Sequence, residues 1–225
     1  MIEYLSEIDT KLLFFFNGIH SPFWDYFMSA FTGKTIWIPM YATVLYVLLK
    51  NYHWKVALCY LVAIALTITF ADQMCNTFLR PIIGRLRPSN PENPIADLVY
   101  IVNGKYGGGY GFPSCHAANS FGLAVFLVTL FRNRWLSLFL LLWAFTNSYT
   151  RLYLGLHYPG DLLAGAILGG FGGWLFCIIA NQFINHVNVI NKFKRQEKKI
   201  KQTEVTTYTG LIILFCIIIY SIIKS

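Results

Sequence analysis

Two histidines lie in short polar segments of a chain that is otherwise mostly apolar. One of them, His157, is followed four residues later by Asp161, and Pro159 interrupts regular helix between them. A carboxylate bonded to one ring nitrogen fixes the tautomer of an imidazole and leaves the other nitrogen free to attack an electrophile such as phosphorus. The pair is therefore typical of a nucleophilic histidine in phosphoryl transfer.

The second histidine, His116, lies in the segment GFPSCHAANS at 111–120. Pro113 followed by Ser114 is typical of a helix start, where free backbone amides and the positive end of the helix dipole favour an anion. A histidine beside such a site can protonate the oxygen that leaves phosphorus. The alternative is that residues 113–114 only end a loop and begin a helix.

The composition indicates that a lipid bilayer positions these segments. Of the 225 residues, 56% are hydrophobic and only 12% are charged, and the mean hydropathy is +0.52. These values exclude an ordinary soluble domain and are typical of a membrane protein. We predict an all-α, polytopic membrane protein. A helix needs about 20 residues to cross the hydrocarbon. The bundle would contain six transmembrane helices, at 23–50, 55–80, 117–131, 135–153, 161–185 and 208–224.

Basic residues mark one face of that bundle. Ten of the eighteen lysines and arginines fall in loops that share one side: Lys50, Lys55, Arg132, Arg134, Lys192, Lys194, Arg195, Lys198, Lys199 and Lys201. The bias of short cytoplasmic loops for Lys and Arg makes this the cytoplasmic side. Loops 81–113 and 154–160 and the N-terminus then face outward. Topology explains the net charge of +8, so we expect a lipid bilayer and no nucleic acid as partner. The sequence does not identify a protein partner.

Four arginines lie on the outward side, where the insertion bias disfavours basic residues: Arg80, Arg85, Arg87 and Arg151. Each therefore needs an anionic partner, and a guanidinium offers two parallel donors to two phosphate oxygens. Arg80 and Arg151 end their spans on the side where Ser114 and Asp161 begin theirs. We predict one pocket at these helix ends. For Arg85 the sequence leaves open whether it binds phosphate or only extends to lipid headgroups.

The chain is predicted to form one integral membrane domain, residues 1–225. Its parts are an N-terminal amphipathic interfacial helix (1–20), a catalytic core (23–185), a basic cytoplasmic loop (186–207) and a last span (208–224). In residues 1–20, one helical face carries Ile2, Leu5, Ile8 and Leu12. The five cysteines are odd in number and lack paired spacing, so they suggest neither a disulfide framework nor a zinc site.

Taken in order, the polar segments resemble the three-part signature of the type 2 phosphatidic acid phosphatase family. The first part matches Arg80, Arg87 and Pro88, the second matches residues 113–116, and the third matches Arg151, His157 and Asp161. The resemblance implies that His157 forms a phosphohistidine, that Asp161 orients it and that His116 is the general acid. It implies no metal or other cofactor. The phosphate ligands that it implies are Arg80, Arg87, Ser114, Arg151 and the backbone amide of Cys115.

The chain departs from the family pattern at three positions. Arg80 stands where the family usually has lysine, which keeps the charge and adds a bidentate fork. Cys115 stands where the family has glycine, and a small side chain is tolerated there if the backbone is an ordinary helix start. Thr150 replaces the usual serine before Arg151. Asp72, inside the second span, is interpreted as a helix-to-helix hydrogen-bonding group, with support of the arginine cluster as the alternative.

These observations predict a metal-independent lipid phosphatase of the bacterial cytoplasmic membrane, with its active site facing the periplasm. The substrate would be a phospholipid or glycolipid phosphate. The family's candidates are lipid A phosphate, undecaprenyl diphosphate, phosphatidylglycerol phosphate and phosphatidic acid. The alternative is a non-catalytic anionic-lipid transporter or anion-binding membrane protein, which helix breaks related by an internal repeat would favour. The sequence shows no such repeat.

Overall fold

A computed structural model describes residues 2–104, 106–187 and 202–225, and these residues are helical or irregular, with no strand. Leu86 and Tyr110 form an isolated antiparallel bridge. Three short 3₁₀ turns lie at Thr35–Trp37, Ala96–Leu98 and Val102–Gly104. The helices are α1 (Ile2–Asn17), α2 (Pro22–Phe31), α3 (Ile38–Asn51), α4 (Trp54–Gln73), α5 (Arg80–Ile83), α6 (Cys115–Phe131), α7 (Arg134–Tyr153), α8 (Pro159–His186) and α9 (Thr203–Lys224).

Three helical stretches of the described chain are long and apolar enough to cross a membrane: Trp54–Ile83, Pro159–His186 and Thr203–Lys224. The first is continuous because a π-helical segment, Met74–Leu79, joins α4 to α5. α6 is a shorter apolar helix. The prediction of an all-helical membrane protein is thus confirmed at this level.

The predicted first span, 23–50, is not one helix in the structure. α2 ends at Phe31, and α3 begins only at Ile38. Gly33, whose N–H bonds to the Ala30 carbonyl, lies in the turn between them, and Pro39 can donate no helical hydrogen bond in the first turn of α3. Apolar content alone suggested one span, because the break consists of only six residues.

α6 lies at the centre of the fold and packs against α4, α7 and α8. Its approach to α8 is close because small residues face each other. A Cβ on Gly169 of α8 would lie 1.9 Å from the carbonyl oxygen of Ala118 on α6. The Ser114 N–H donates to the Asp161 carbonyl at 2.9 Å. This packing holds the first turn of α6 against the first turn of α8.

The turn between α7 and α8 presents His157. α7 ends at Tyr153, and Gly155 has a φ of +69°, which favours glycine. The residue before Pro159 is extended, with Tyr158 at φ −74° and ψ 156°. α8 then starts with Asp161 in its first turn, where its carboxylate accepts the Tyr158 N–H at 3.1 Å. His157 is therefore fixed between two helix ends.

α1 packs beside this turn. Leu13 is fully buried against Val99, Leu152 and Tyr158. The Asn17 side chain donates to the carbonyls of Tyr100 and Tyr153 at 3.0 and 2.8 Å. These contacts fix the C-terminal half of α1 to the rest of the protein.

Four basic residues of the predicted cytoplasmic loops lie at the end of the bundle opposite His157. Lys50 and Lys55 flank the α3–α4 turn, and Arg132 and Arg134 flank the α6–α7 turn. The start of α9 lies at the same end, since the Tyr46 hydroxyl donates to Gln202 at 2.6 Å. Of the predicted basic loop 186–207, residues 188–201 lie outside the described residues.

Candidate active site

A buried histidine–carboxylate pair forms the centre of the site. His157 is 1% exposed, and Asp161 is fully buried. Nδ1 of His157 lies 3.2 Å from Oδ2 of Asp161. The same carboxylate oxygen accepts the Tyr158 N–H, so its position is set by the start of α8.

The other ring nitrogen faces an arginine. Nη1 of Arg87 lies 2.9 Å from Nε2 of His157. Because a guanidinium can only donate, Nε2 must carry the lone pair and Nδ1 the proton. In this tautomer, Nδ1 of His157 donates to Asp161. Nε2, which has the lone pair, lies beside Arg87, and arginine is a residue type that commonly binds phosphate.

Burial and then the charges of Arg87, Arg151 and Arg80 hold the pKa of His157 well below its ordinary value of 6.5. A nearby cation disfavours a second positive charge, and a buried imidazolium is poorly solvated. The imidazole therefore remains neutral at neutral pH. A neutral ring is the form that has a lone pair available for attack.

The start of α6 contributes the second part of the site. Ser114 is its N-cap, and its hydroxyl oxygen accepts the Ala117 N–H at 3.5 Å. Cys115 is the first helical residue, and His116 follows it in the first turn. The thiol of Cys115 donates to Asp72 at 2.9 Å, so the side chain is directed toward α4. The free amides of this turn are the groups able to bind an anion.

Three arginines converge on the same space, each held by a neighbouring polar group. Arg80 donates through Nη1 to the Asn76 carbonyl oxygen and through Nη2 to the Pro113 carbonyl at 3.3 Å. Arg151 donates to the Thr32 hydroxyl at 3.1 Å. In the described part of the chain, buried Nε atoms without a partner occur on Arg80, Arg87 and Arg151. Buried donors of this kind indicate a missing acceptor.

A cavity of about 610 Å³ connects these groups. Its polar end is lined by Arg80, Arg87, His116 and Arg151, and its other end by apolar side chains of α3 and α4, including Val44 and Ile64. Ser114 and Asp161 join it through the contacts above. The structure therefore brings together all the site residues that the sequence predicts: Arg80, Arg87, Ser114, Cys115, His116, Arg151, His157 and Asp161.

Sequence reasoning missed Asp9 behind the histidine pair. It left open whether Arg85 binds phosphate or extends to lipid headgroups, and the structure instead pairs Arg85 with two carboxylates. Nη1 of Arg85 lies 3.1 Å from Oδ1 of Asp161 and 2.7 Å from Oδ2 of Asp9 on α1. Its guanidinium also lies 3.8 Å from the centre of the Tyr158 ring. Oδ1 of Asp9 accepts the Gly160 N–H at 2.7 Å. Arg85 thus contacts Asp161, the carboxylate that faces His157. No signal in the sequence indicated that Arg85 pairs with Asp9.

The glycines of the segment 106–111 also contact the site. A Cβ on Gly111 would lie 3.1 Å from Oδ2 of Asp161 and 3.5 Å from Nδ1 of His157. A Cβ on Gly107 would lie 2.5 Å from Cδ of Arg87. Glycine content in the sequence does not by itself reveal such close packing.

The described residues contain no group of three or more His, Cys, Asp or Glu side chains arranged to hold a metal ion. At the polar end, the cavity is lined by three guanidinium groups and His116, and the one carboxylate among its described lining residues, Asp72, accepts the Cys115 thiol. Such a set matches a phosphate group rather than a metal cation.

Comparison with known proteins agrees with this geometry. Residues 54–185 match the PAP2 superfamily. The chain belongs to the PAP2 superfamily. This confirms the family that the motifs indicated, and with it the prediction that the chain is a phosphatase.

Individual relatives extend the match. The chain is 75% identical to a lipid A 4′-phosphatase of Bacteroides thetaiotaomicron over the full length of both chains. It is 32% identical to a lipid A 4′-phosphatase of Porphyromonas gingivalis, over 75% of this chain and 71% of that protein. The crystal structure of Aquifex aeolicus LpxE superposes with a TM-score of 0.56 at 22% identity, covering 77% of this chain and 94% of that one. This last likeness shows a shared fold.

Proposed function

We propose that the protein removes the 4′-phosphate of lipid A at the periplasmic face of the inner membrane, through a phosphohistidine intermediate. The observation that carries the mechanism is the position of His157. Its Nδ1 faces Asp161, and its Nε2 faces Arg87 at 2.9 Å. The nucleophilic lone pair is thereby directed toward the cationic end of the cavity.

In the first step, Nε2 of His157 attacks phosphorus, and the bond from phosphorus to the sugar oxygen breaks. His116 gives a proton to that oxygen, so the sugar leaves as an alcohol. Arg80, Arg87, Arg151 and the amides at the start of α6 stabilise the charge on the other three oxygens. Asp161 stabilises the imidazolium charge that develops on His157.

In the second step, water attacks the phosphohistidine. His116, now neutral, takes a proton from the water, and the bond between Nε2 and phosphorus breaks. Inorganic phosphate leaves, and His157 returns to its neutral form. Apart from that water molecule, both steps use only side chains and amides of this chain.

Two observations support a lipid A phosphate as substrate. Both relatives described above carry that activity in their names, and one of them matches the whole chain at 75% identity. The cavity also extends from the arginines to apolar side chains of α3 and α4, which suits a phosphate attached to acyl chains. Undecaprenyl diphosphate, phosphatidylglycerol phosphate and phosphatidic acid are the competing substrates.

The charge distribution supports the periplasmic orientation and six crossings. The site lies at the end of the bundle opposite Lys50, Lys55, Arg132 and Arg134, and short basic loops stay in the cytoplasm. α6, α7 and the α2–α3 pair would add three crossings to the three long apolar helices. α1 would lie in the outer interface, because Leu5, Ile8 and Leu12 on its surface are exposed.

The test compares His157→Ala with His116→Ala in purified protein. With lipid A, both variants are expected to be inactive or nearly so; His116→Ala should lose about a hundredfold or more. With an activated aryl phosphate, whose phenolate leaves without a proton, His116→Ala should regain activity and His157→Ala should not. A chelator should leave the wild type unaffected.

Three results would contradict the proposal. Failure of the wild type to release phosphate from lipid A would exclude the lipid A phosphatase activity proposed here. Rescue of His157→Ala by the aryl phosphate would reverse the assigned roles. Loss of all activity on chelation would exclude a mechanism that uses the side chains alone.

A further inference from the structure

The cavity contains a polar layer that phosphate binding does not use. On α6, Asn119 and Ser120 lie three and four residues after His116, and on α7, Asn147 lies four residues before Arg151. At about 1.5 Å of rise per residue, these side chains lie about 5–6 Å below the phosphate-binding groups. All three line the cavity, as does Trp143, one further turn down α7.

Several polar atoms in this layer have no partner. Nδ2 of Asn147 donates to the Ser120 hydroxyl at 2.6 Å, but its Oδ1 is buried without a hydrogen bond to any described residue. The same holds for Oδ1 of Asn119 and Nε1 of Trp143. Asn147 and Trp143 are 8% and 4% exposed. A buried polar atom without a partner costs about 1–3 kcal/mol, so the arrangement is suited to a ligand that supplies the missing bonds.

The missing partners define the ligand. The two amide oxygens accept hydrogen bonds, and the indole N–H donates one. A hydroxyl or an amide group can satisfy both kinds of atom. The carbonyls of a diacylglycerol phosphate are acceptors only, and an isoprenoid chain offers no polar group at this depth.

We propose that Asn119, Asn147 and Trp143 form a subsite that binds hydroxyl or amide groups next to the phosphate of an acylated sugar phosphate. This inference rests on the proposed lipid phosphatase function and adds the basis of its substrate choice. The phosphate lies among the arginines, the sugar and its amide or hydroxyl groups lie one turn lower, and the acyl chains continue toward Val44 and Ile64. A lipid without hydrogen-bond donors would leave Oδ1 of both Asn119 and Asn147 unpaired, and this disfavours binding of that lipid.

The subsite is tested with Asn147→Leu, which keeps the approximate volume and removes both polar atoms. Hydrolysis of p-nitrophenyl phosphate, which fills only the phosphate site, is measured with two lipids as competitors. These are purified lipid A and an ether-linked dialkylglycerol phosphate, which has no hydrogen-bond donor below its phosphate. The variant should bind lipid A at least tenfold more weakly than the wild type does. Binding of the dialkyl lipid and turnover of the aryl phosphate should be unchanged.

Asn181→Leu is the matched control. Asn181 also bonds across helices, accepting the Tyr60 hydroxyl at 2.8 Å, but it does not line the cavity. Its substitution should leave the ratio of the two lipid affinities at the wild-type value. Trp143→Phe keeps a ring and removes only the N–H, so it provides a second variant in case Asn147→Leu does not fold. Trp143→Phe should also weaken the binding of lipid A and leave the binding of the dialkyl lipid unchanged.

The outcomes separate the two proposals. If the wild type does not hydrolyse p-nitrophenyl phosphate, the proposed function fails. Suppose that the wild type hydrolyses p-nitrophenyl phosphate. If the variants then bind both lipids equally less tightly, or bind both as the wild type does, the subsite is excluded and Asn147 has only a structural role. If Asn147→Leu or Trp143→Phe selectively weakens the binding of lipid A, and the Asn181→Leu control does not, the result supports the subsite.

Discussion

Replacement of Arg85 by glutamine is expected to lower turnover although Arg85 does not line the phosphate-binding cavity. Arg85 joins two carboxylates, Asp9 at 2.7 Å and Asp161 at 3.1 Å, and is itself only 23% exposed. In the proposed mechanism, Asp161 stabilises the positive charge that develops on His157 during attack. Its position therefore depends in part on a residue that never contacts the substrate.

The size of the effect follows from the contacts that remain. In Arg85→Gln, Asp161 keeps the Tyr158 N–H and the ring of His157 and loses one charge-assisted hydrogen bond. Such a bond contributes about 1.5–3 kcal/mol. At about 1.36 kcal/mol per tenfold change in rate, kcat should fall about 10- to 150-fold. KM should change little, because the phosphate ligands are intact.

Two substitutions on α1 provide the comparison. Asp9→Asn keeps an oxygen for the Gly160 N–H and removes only the charge that holds Arg85, so kcat should fall less, about two- to tenfold. Glu7→Gln removes an exposed pair with Lys11, whose side chains are 61% and 72% exposed. It should change nothing measurable. Steady-state hydrolysis of an aryl phosphate measures all three. A wild-type kcat for Arg85→Gln, or equal effects of Asp9→Asn and Glu7→Gln, would refute the reasoning.

Two further predictions concern the groups that surround His157. Because burial and three guanidinium charges lower the pKa of His157 below 6.5, its protonation should reduce kcat/KM only at a pH below that value. In Arg151→Gln one cation is lost, so the acid limb should shift to higher pH relative to the wild type on the same substrate; an unchanged limb would contradict the assignment. Gly111→Ala should lower kcat more than tenfold, because its Cβ would lie 3.1 Å from both Arg87 Cγ and Asp161 Oδ2. Gly108→Ala, which has nothing within 4 Å, should retain full activity in the same assay.

Much of the site could be predicted because the helices limit where its residues can lie. Arg80, Ser114, Arg151 and Asp161 stand at the ends of apolar runs, and helices that alternate in direction return every second end to one side. Motif spacing then selects which end carries the chemistry. The same logic does not reveal the break between α2 and α3, since its six residues are too few to divide the apolar stretch 23–50 into two runs.

The contacts behind the site could not be predicted because they join distant segments through single side chains. Asp9 and Arg85 lie in different elements and meet only after α1 packs against the turn between α7 and α8. The amphipathic pattern of 1–20 indicated a surface helix, and Leu13 shows that its other face is buried. Likewise, Gly107 and Gly111 look like loop residues in the sequence, and only the neighbouring Arg87 and Asp161 show why a side chain there would be too close.

The structure also relates two departures from the family pattern to each other. Cys115 begins α6 without the positive φ that would favour glycine, so a side chain adds no backbone strain. Its thiol donates to Asp72 and accepts from the Asn76 amide at 3.4 Å. Asn76 in turn accepts a hydrogen bond from Arg80, the residue that stands in place of lysine. The cysteine therefore leaves the backbone amide of the helix start free and contacts, through one asparagine, the arginine that replaces the lysine. The two departures belong to one set of contacts between α4, α5 and α6, which holds a cation beside a helix N-terminus, as the proposed phosphate site requires.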